Sequence, residues 1–247
     1  MKAALSLTDK KYVAKPLKRV FIEKPGKKKK RPLGIPTMHD RSMQSLYALA
    51  LEPVAEIKGD RTSFGFRKFR STHDACEYAF QYLCKKNAPV WVLEGDIKGC
   101  FDNISHQWLL DNIPMDKSIL KQFLKAGYIF DRQLFQTDAG TPQGGIISPI
   151  LANMTLDGID KLLADKYHKK WKSGRTNNDY AAKYKVNFVR YADDFIVTAN
   201  SEEIVKEVKE LIKDFLKDRG LELSDEKTLI THIDDGFDFL GWNFRKI

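Results

Sequence analysis

The sequence predicts an α+β fold, a small sheet backed by helices, on three observations. Short strand-like runs and helical stretches are intermixed along the chain without internal repeats. Two apolar runs lead straight into carboxylates, one at Asp96 and one at Asp193 and Asp194. The surplus positive charge is confined to the first 31 residues.

With 247 residues, 43% of them hydrophobic and 30% charged, the chain can bury one large core or two modest ones. No run approaches the roughly 18 to 20 consecutive apolar residues of a membrane span, and no apolar signal core follows Met1, so a cytoplasmic protein without membrane contact is expected. Cys76, Cys84 and Cys100 form no CxxC pair and the five histidines are scattered, which argues against a disulfide framework or a zinc site. All three cysteines are expected as reduced, buried thiols.

The net charge of +9 has one source. Residues 1–31 hold 12 Lys and Arg against Asp9 and Glu23, and the remainder is nearly neutral. The densest part, Lys27, Lys28, Lys29, Lys30 and Arg31, can neutralise several phosphates. Strands at 19–22 and 33–35, joined by Pro25 and Gly26, place that charge on a hairpin.

Helical spacing follows at 40–57 (Met43, Leu46, Tyr47, Ala50, Leu51, Val54) and at 73–83. Between them Arg61, Arg67 and Arg70 interleave with phenylalanines, a pattern that suits a single nucleic-acid strand. A strand at 90–93 runs into Asp96, with helices near 107–112 and 117–128. A Gly/Pro-rich loop at 140–145 leads to Ser148 and Pro149, which start a helix through about Tyr167. Residues 168–185 read as an exposed connection. Strands at 186–191 and 195–198 flank Asp193 and Asp194, a helix at 202–219 ends at Gly220, and short strands at 221–223, 228–230 and 237–244 close the chain.

Adjacent aspartates mean little alone: Asp234 and Asp235 precede Gly236 in a polar stretch and read as a turn. Asp193 and Asp194 instead sit at the tip of a hairpin between apolar strands, where paired anions are costly unless a cation neutralises them. Hard oxygen ligands favour Mg²⁺. If the strand ending at Asp96 shares their sheet, three carboxylates can hold two metals roughly 3.5 to 4 Å apart, an arrangement that suits phosphoryl transfer.

At this point the chain resembles the reverse transcriptases encoded by group II introns. YADD at 191–194 looks like the polymerase signature hairpin, and EGDIKGCFD at 94–102 like the first catalytic-aspartate motif. GTPQGGIISP at 140–149 is similar to the loop and helix under the incoming nucleotide, and RPLGIP at 31–36 to the fingers motif. SFGFR at 63–67 with HDA at 73–75, and FDFLG at 237–241, complete six motifs in the family's order.

The resemblance implies a right-hand polymerase with fingers at 1–88 and 113–142, and a palm with a small antiparallel sheet at 89–112 and 143–247. The resemblance also leads us to expect a chain without the helical thumb and N-terminal extension of family members, and with it poor processivity. It implies catalysis at Asp96, Asp193 and Asp194, with Ile97 joining them as a ligand of two Mg²⁺ ions, Mn²⁺ being an alternative. Nucleotide binding would fall to Arg31, Lys24, Phe101 as steric gate against a ribose 2′-hydroxyl, Gln143, Gly144 and Lys227. Lys227 would also protonate the leaving pyrophosphate. RNA would meet Lys27, Lys28, Lys29, Lys30, Arg61, Arg67 and Arg70. The implied partners are an RNA template, intron RNA in splicing and retromobility, a DNA or RNA primer, dNTPs and, left open, a second copy of the chain. Two other readings stay open: an RNA-binding maturase module without significant polymerase activity, and a palm polymerase that copies RNA into RNA.

Overall fold

The computed structural model describes residues 12–24, 27–168, 181 and 183–246. The Pro25–Gly26 turn and most of the connection at 168–185 lie outside them, as do the side chains of Lys24, Lys27, Lys28 and Lys29. The chain forms two compact units, Met1–Ile57 with Gly99–Thr155 and Lys58–Lys98 with Leu156–Ile247. Residues 58–88, expected with the fingers, group with the second unit, whereas 99–112 and 143–155, expected with the palm, group with the first.

In the first unit, β1 (Leu17–Lys24) and β2 (Lys27–Ile35) pair antiparallel, with a bulge between Ile22 and Lys24. β4 (Tyr128–Phe130) runs parallel to β1 and pairs with β5 (Gln133–Phe135), giving the order β2-β1-β4-β5. The helix expected to reach residue 128 stops sooner, because α5 (Lys117–Lys125) gives way at Gly127, whose φ is +68°. Helices α1 (Met38–Lys58), α3 (Cys100–Asn103), α4 (His106–Asn112) and α6 (Ser148–Leu156) complete the unit. α1 buries Asp40, Met43, Gln44, Ala48 and Leu51 and leaves Leu46 exposed. Two polar residues set that face: Asp40 accepts from Tyr12 Oη at 2.7 Å, and Gln44 Oε1 accepts the Ile146 N–H at 2.8 Å. A buried polar group with a partner outbids an apolar neighbour for the inner position.

The second unit is built on the antiparallel sheet β6-β7-β3-β8, formed by β3 (Trp91–Asp96), β6 (Asn187–Tyr191), β7 (Asp194–Ala199) and β8 (Leu229–His232). Helix α2 (Thr72–Leu83) opens with a Ser71–Asp74 capping box and packs Ala75, Cys76 and Ala79 against Val92, Val189 and Ile196. The hairpin of β9 (Phe237–Phe239) and β10 (Trp242–Phe244) adds Phe237 and Phe239 to that core. Helix α8 (Glu202–Lys217) buries Val205, Val208, Ile212 and Leu216 at the spacing of an amphipathic stripe. The helix expected from 148 to 167 is broken: α6 ends, and α7 (Ile159–Tyr167) restarts after Gly158 at φ +110°. The Asp60 carboxylate accepts the Gly158 and Asp160 N–H groups there, supplying the cap of the new helix. Residues 221–223 form only the bridge Ile97↔Leu223 rather than a strand. Cys76 and Cys100 are buried as expected, but Cys84, on the open face at the end of α2, is exposed.

Candidate active site

The carboxylates are brought together by strand register. Asp96 ends β3 directly opposite Asp194 at the start of β7, and Tyr191 pairs with Asp194, so Ala192 and Asp193 form a two-residue turn. Ala192 adopts φ +57°, a left-handed conformation that tight hairpin turns require and non-glycine residues resist. Gly95 lets the two strands close over Phe195, since a Cβ at that position would lie 2.1 Å from the ring.

Loss of hydration, then the charges of Asp193 and Asp96, push the Asp194 pKa up to about 6, with Lys227 opposing. Lys227 Nζ lies 2.5 Å from Asp96 Oδ2, and that bond, ahead of the wider carboxylate field, raises the lysine. The turn carrying Lys227 is pinned by the Ser224 N–H, which donates to the Asp96 carbonyl at 2.8 Å. Asp96, Asp194 and Lys227 line a cavity of about 340 Å³ with Glu94, Asp238 and Gly241. Among the described residues, no three His, Cys, Asp or Glu side chains converge closely enough to enclose a metal ion by themselves. The donor set nevertheless fits Mg²⁺: it is all hard oxygen, and the mutual repulsion at Asp194 is what a divalent cation relieves. Mg²⁺ takes only one or two carboxylates and completes its shell with water and phosphates, so a closed protein cage is not required.

The first unit has a second cavity of about 430 Å³, lined by Arg19, Phe101, Asp102, Tyr128, Pro142 and Gln143 among others. Main-chain bonds from Thr141 to the Phe101 carbonyl and from Gly34 to the Gln143 carbonyl, at 2.7 and 2.8 Å, tie the motifs into one frame. Gln143 Nε2 faces the Asp102 carboxylate at 3.3 Å. Gly144 is exposed, and Arg31 and Lys30 are exposed on β2.

Residues 22–244 match the family model for reverse transcriptase (RNA-dependent DNA polymerase). The chain belongs to the reverse transcriptase family. It is 34% identical to the group II intron-encoded protein LtrA of Lactococcus lactis subsp. cremoris over 97% of its own length and 48% of that protein's. Protein YkfC of Escherichia coli is 35% identical over 93% of this chain and 67% of YkfC. Among solved structures, apo telomerase from Candida tropicalis superposes with a TM-score of 0.66 at 14% identity, covering 96% of this chain and 48% of that one. That likeness is one of fold. The chain thus spans about half the length of LtrA and of the telomerase.

Within this reverse transcriptase domain several polar groups make contacts to which the sequence assigned no role. Glu94, on β3 beside Asp96, accepts from Thr231 Oγ1 at 2.7 Å and is raised by burial. Arg19 stacks over the Tyr128 ring at 3.8 Å in the cavity of the first unit. Arg190, wholly buried on β6, donates to Asp157 Oδ1 at 2.6 Å. A lone charged residue inside the strand-like run 186–191 was the sequence signal for it. Two of the loop arginines bond within their own segment. Arg67 Nη1 donates to the carbonyls of Asp60 and Ser63, and Arg70 Nη1 to those of Arg61 and Ser63, while Arg61 is exposed. No helix among the described residues is long and apolar enough to cross a membrane.

Proposed function

We propose that this chain is the fingers and palm of an RNA-directed DNA polymerase that transfers dNMP units to a primer 3′-hydroxyl and binds intron RNA in splicing and retromobility. The observation that carries the reading is the facing register of Asp96 and Asp194 with Asp193 in the turn between strands. The second unit then serves as palm and the first as fingers.

Asp96, Asp193, Asp194 and the Ile97 carbonyl would hold two Mg²⁺ ions. When bound, they supply the positive charge that makes the primer hydroxyl acidic and offsets charge on the phosphates. Lys227 carries its proton at Nζ beside Asp96, available to a departing phosphate oxygen. Phe101, held by its main chain against Thr141, fills the space of a ribose 2′-hydroxyl, and a buried hydroxyl without a partner is costly. Gln143 and Gly144 meet the nucleotide. Arg31, with Lys24, grips the triphosphate in a fork geometry that a lysine alone does not match. Lys27 to Lys30 and Arg61 hold RNA by its phosphates. Arg67 and Arg70, donating within their own loop, contribute by shaping it.

Primer extension on an RNA template tests this reading, with Mg²⁺ and dNTPs, the unaltered chain and an Asp193→Ala/Asp194→Ala variant, repeated with rNTPs. Extension with dNTPs that the variant loses is the expected result. A folded, RNA-binding chain that extends nothing would instead make it an RNA-binding maturase module, and preference for rNTPs would make it an RNA-copying relative.

A further inference from the structure

We propose that Arg190, with Asp157 and the Thr62–Gly65 segment, is a positioning device that sets the carboxylate turn; the inference rests on the catalytic reading of that turn. The guanidinium is fully buried and its two terminal nitrogens do different work. Nη1 donates to the carbonyl of Ala192, the left-handed residue of the turn, at 3.2 Å, and Nη2 to Asp157 Oδ1 at 2.6 Å. Asp157 is in turn fixed between helices α6 and α7, where it accepts the Asp60 N–H at 3.3 Å. Asp60 closes the chain of bonds by capping α7 through the Gly158 N–H at 3.0 Å. A strained turn one residue before Asp193 is therefore tied to a helix start by three charged side chains.

The main chain makes a second, independent tie. The Arg190 N–H donates to the Thr62 carbonyl and the Phe64 N–H to the Arg190 carbonyl, both at 2.9 Å. Gly65 lies so close under the turn that a Cβ there would sit 2.3 Å from the Ala192 nitrogen. Residues 62–65, which the sequence suggested as part of a strand-binding loop, thus lie against the backbone that presents Asp193. Stability is a poor reason for the charges. Buried ion pairs cost several kcal/mol per ion in lost hydration and are often matched or bettered by apolar residues of similar volume. Two donors on one rigid plane do what an apolar side chain cannot, which is to fix the distance between the Ala192 carbonyl and Asp157.

The test measures Mn²⁺ binding by electron paramagnetic resonance on the chain alone, steady-state extension kinetics and melting midpoints. It compares the unaltered chain with Arg190→Lys, Arg190→Met/Asp157→Leu and Gly65→Ala. Tyr167→Phe, which loses a 2.8 Å bond to Glu207, is the control for ordinary loss of a structural bond. The expected result is a Kd for Mn²⁺ about 10-fold or more weaker and a kcat lower by about 10²-fold in the three test variants. KM for dNTP is expected to stay within about twofold, and the Met/Leu variant to melt no lower than the control. The lysine variant keeps the charge but not the double donation, so it is expected to fail with the others, and it serves where the apolar pair does not fold. Unchanged Mn²⁺ affinity and kcat in folded variants would overturn the inference while leaving the polymerase reading intact. An unaltered chain that binds Mn²⁺ but extends nothing would overturn the polymerase reading, and the Mn²⁺ affinities of the variants would still decide the positioning role. If the unaltered chain neither binds Mn²⁺ nor extends a primer, both fall.

Discussion

Strands β2 and β6 are both sheet edges, and the chain treats them in opposite ways. β2, at the rim of the sheet in the first unit, carries Pro32 and the exposed Lys30 and Arg31. Proline and charge both discourage further pairing, so the end of this edge at Lys30 and Arg31 is exposed while Gly34 further along donates to the Gln143 carbonyl, and Phe21 and Ile22 of the partner strand are 46% and 42% exposed. β6, at the rim of the sheet in the second unit, is covered instead. Residues 62–64 bond to it, and Phe188, Val189 and Arg190 are buried. In the proposed function an exposed edge dressed with cations follows a flexible polyanion, whereas carboxylates that would share an ion need a backbone that does not move. The difference is between grip and geometry.

The largest effect is expected at the covered hairpin. Asp194→Asn removes one charge without changing shape, and loss of a metal-ligating carboxylate is expected to cost about 4 kcal/mol of transition-state stabilisation, a rate loss of about 10³-fold in primer extension. The melting midpoint is not expected to fall, because the variant also removes the repulsion that raises Asp194. A variant that extends at the parental rate would show that the hairpin is not the catalytic centre. The strands beside the two edges separate next by stability. Ile196→Ala, at a side chain 1% exposed in the core under α2, is expected to cost about 2–5 kcal/mol in urea unfolding. Phe21→Ala on the open hairpin is expected to cost under about 1 kcal/mol. Equal costs would erase the contrast.

The legible part of this molecule was the part in which neighbours in sequence are neighbours in space. Short apolar runs around residues 186–198 and 90–93 located both carboxylate strands, and the amphipathic stripe of α8 needed only its 3.6-residue period. Long-range polar bonds were illegible. Nothing near residue 158 announces that Asp60, about a hundred positions earlier, caps a helix there, so the run 148–167 read as one helix. Gln44 likewise looks like a surface residue until the Ile146 N–H requires an acceptor, and its burial turned the predicted face of α1. The candidate site followed the same rule. Asp96, Asp193 and Asp194 were visible from their apolar flanks, while Arg190 and Asp157 depend on a contact that spacing does not encode.

The open edge makes a smaller, salt-dependent prediction. Replacing Lys27 to Lys30 with serine is expected to weaken single-stranded RNA binding and to flatten the plot of log affinity against log salt by about 3 units if all four lysines meet phosphates. Melting should be unchanged, since four lysines on a hairpin add no apolar side chains to the core. An unaltered salt slope would move the RNA-binding surface elsewhere.

The smallest effect tests whether the unit bearing the open edge is nonetheless rigid under its loop at 140–145. His106 is 6% exposed, and its Nε2 lies 2.8 Å from the Gly140 carbonyl at the start of that loop. Burial, ahead of a partly compensating bond to Gly140, lowers its pKa below the ordinary value of about 6.5. A folded-state value below the unfolded one means that the unfolded chain binds the proton more readily. The stability linked to His106 is therefore fully present above about pH 6.5 and is lost as pH falls from there through the depressed folded value. Urea midpoints measured from pH 7.5 to pH 5 should decline in this window for the parent chain, and His106→Gln, which keeps a donor for Gly140, should flatten the decline. A decline that survives the substitution would place the acid sensitivity with other groups and leave the loop's anchor to its main-chain bonds, Gly140 to Ile104 and Thr141 to Phe101, both at 2.7 Å.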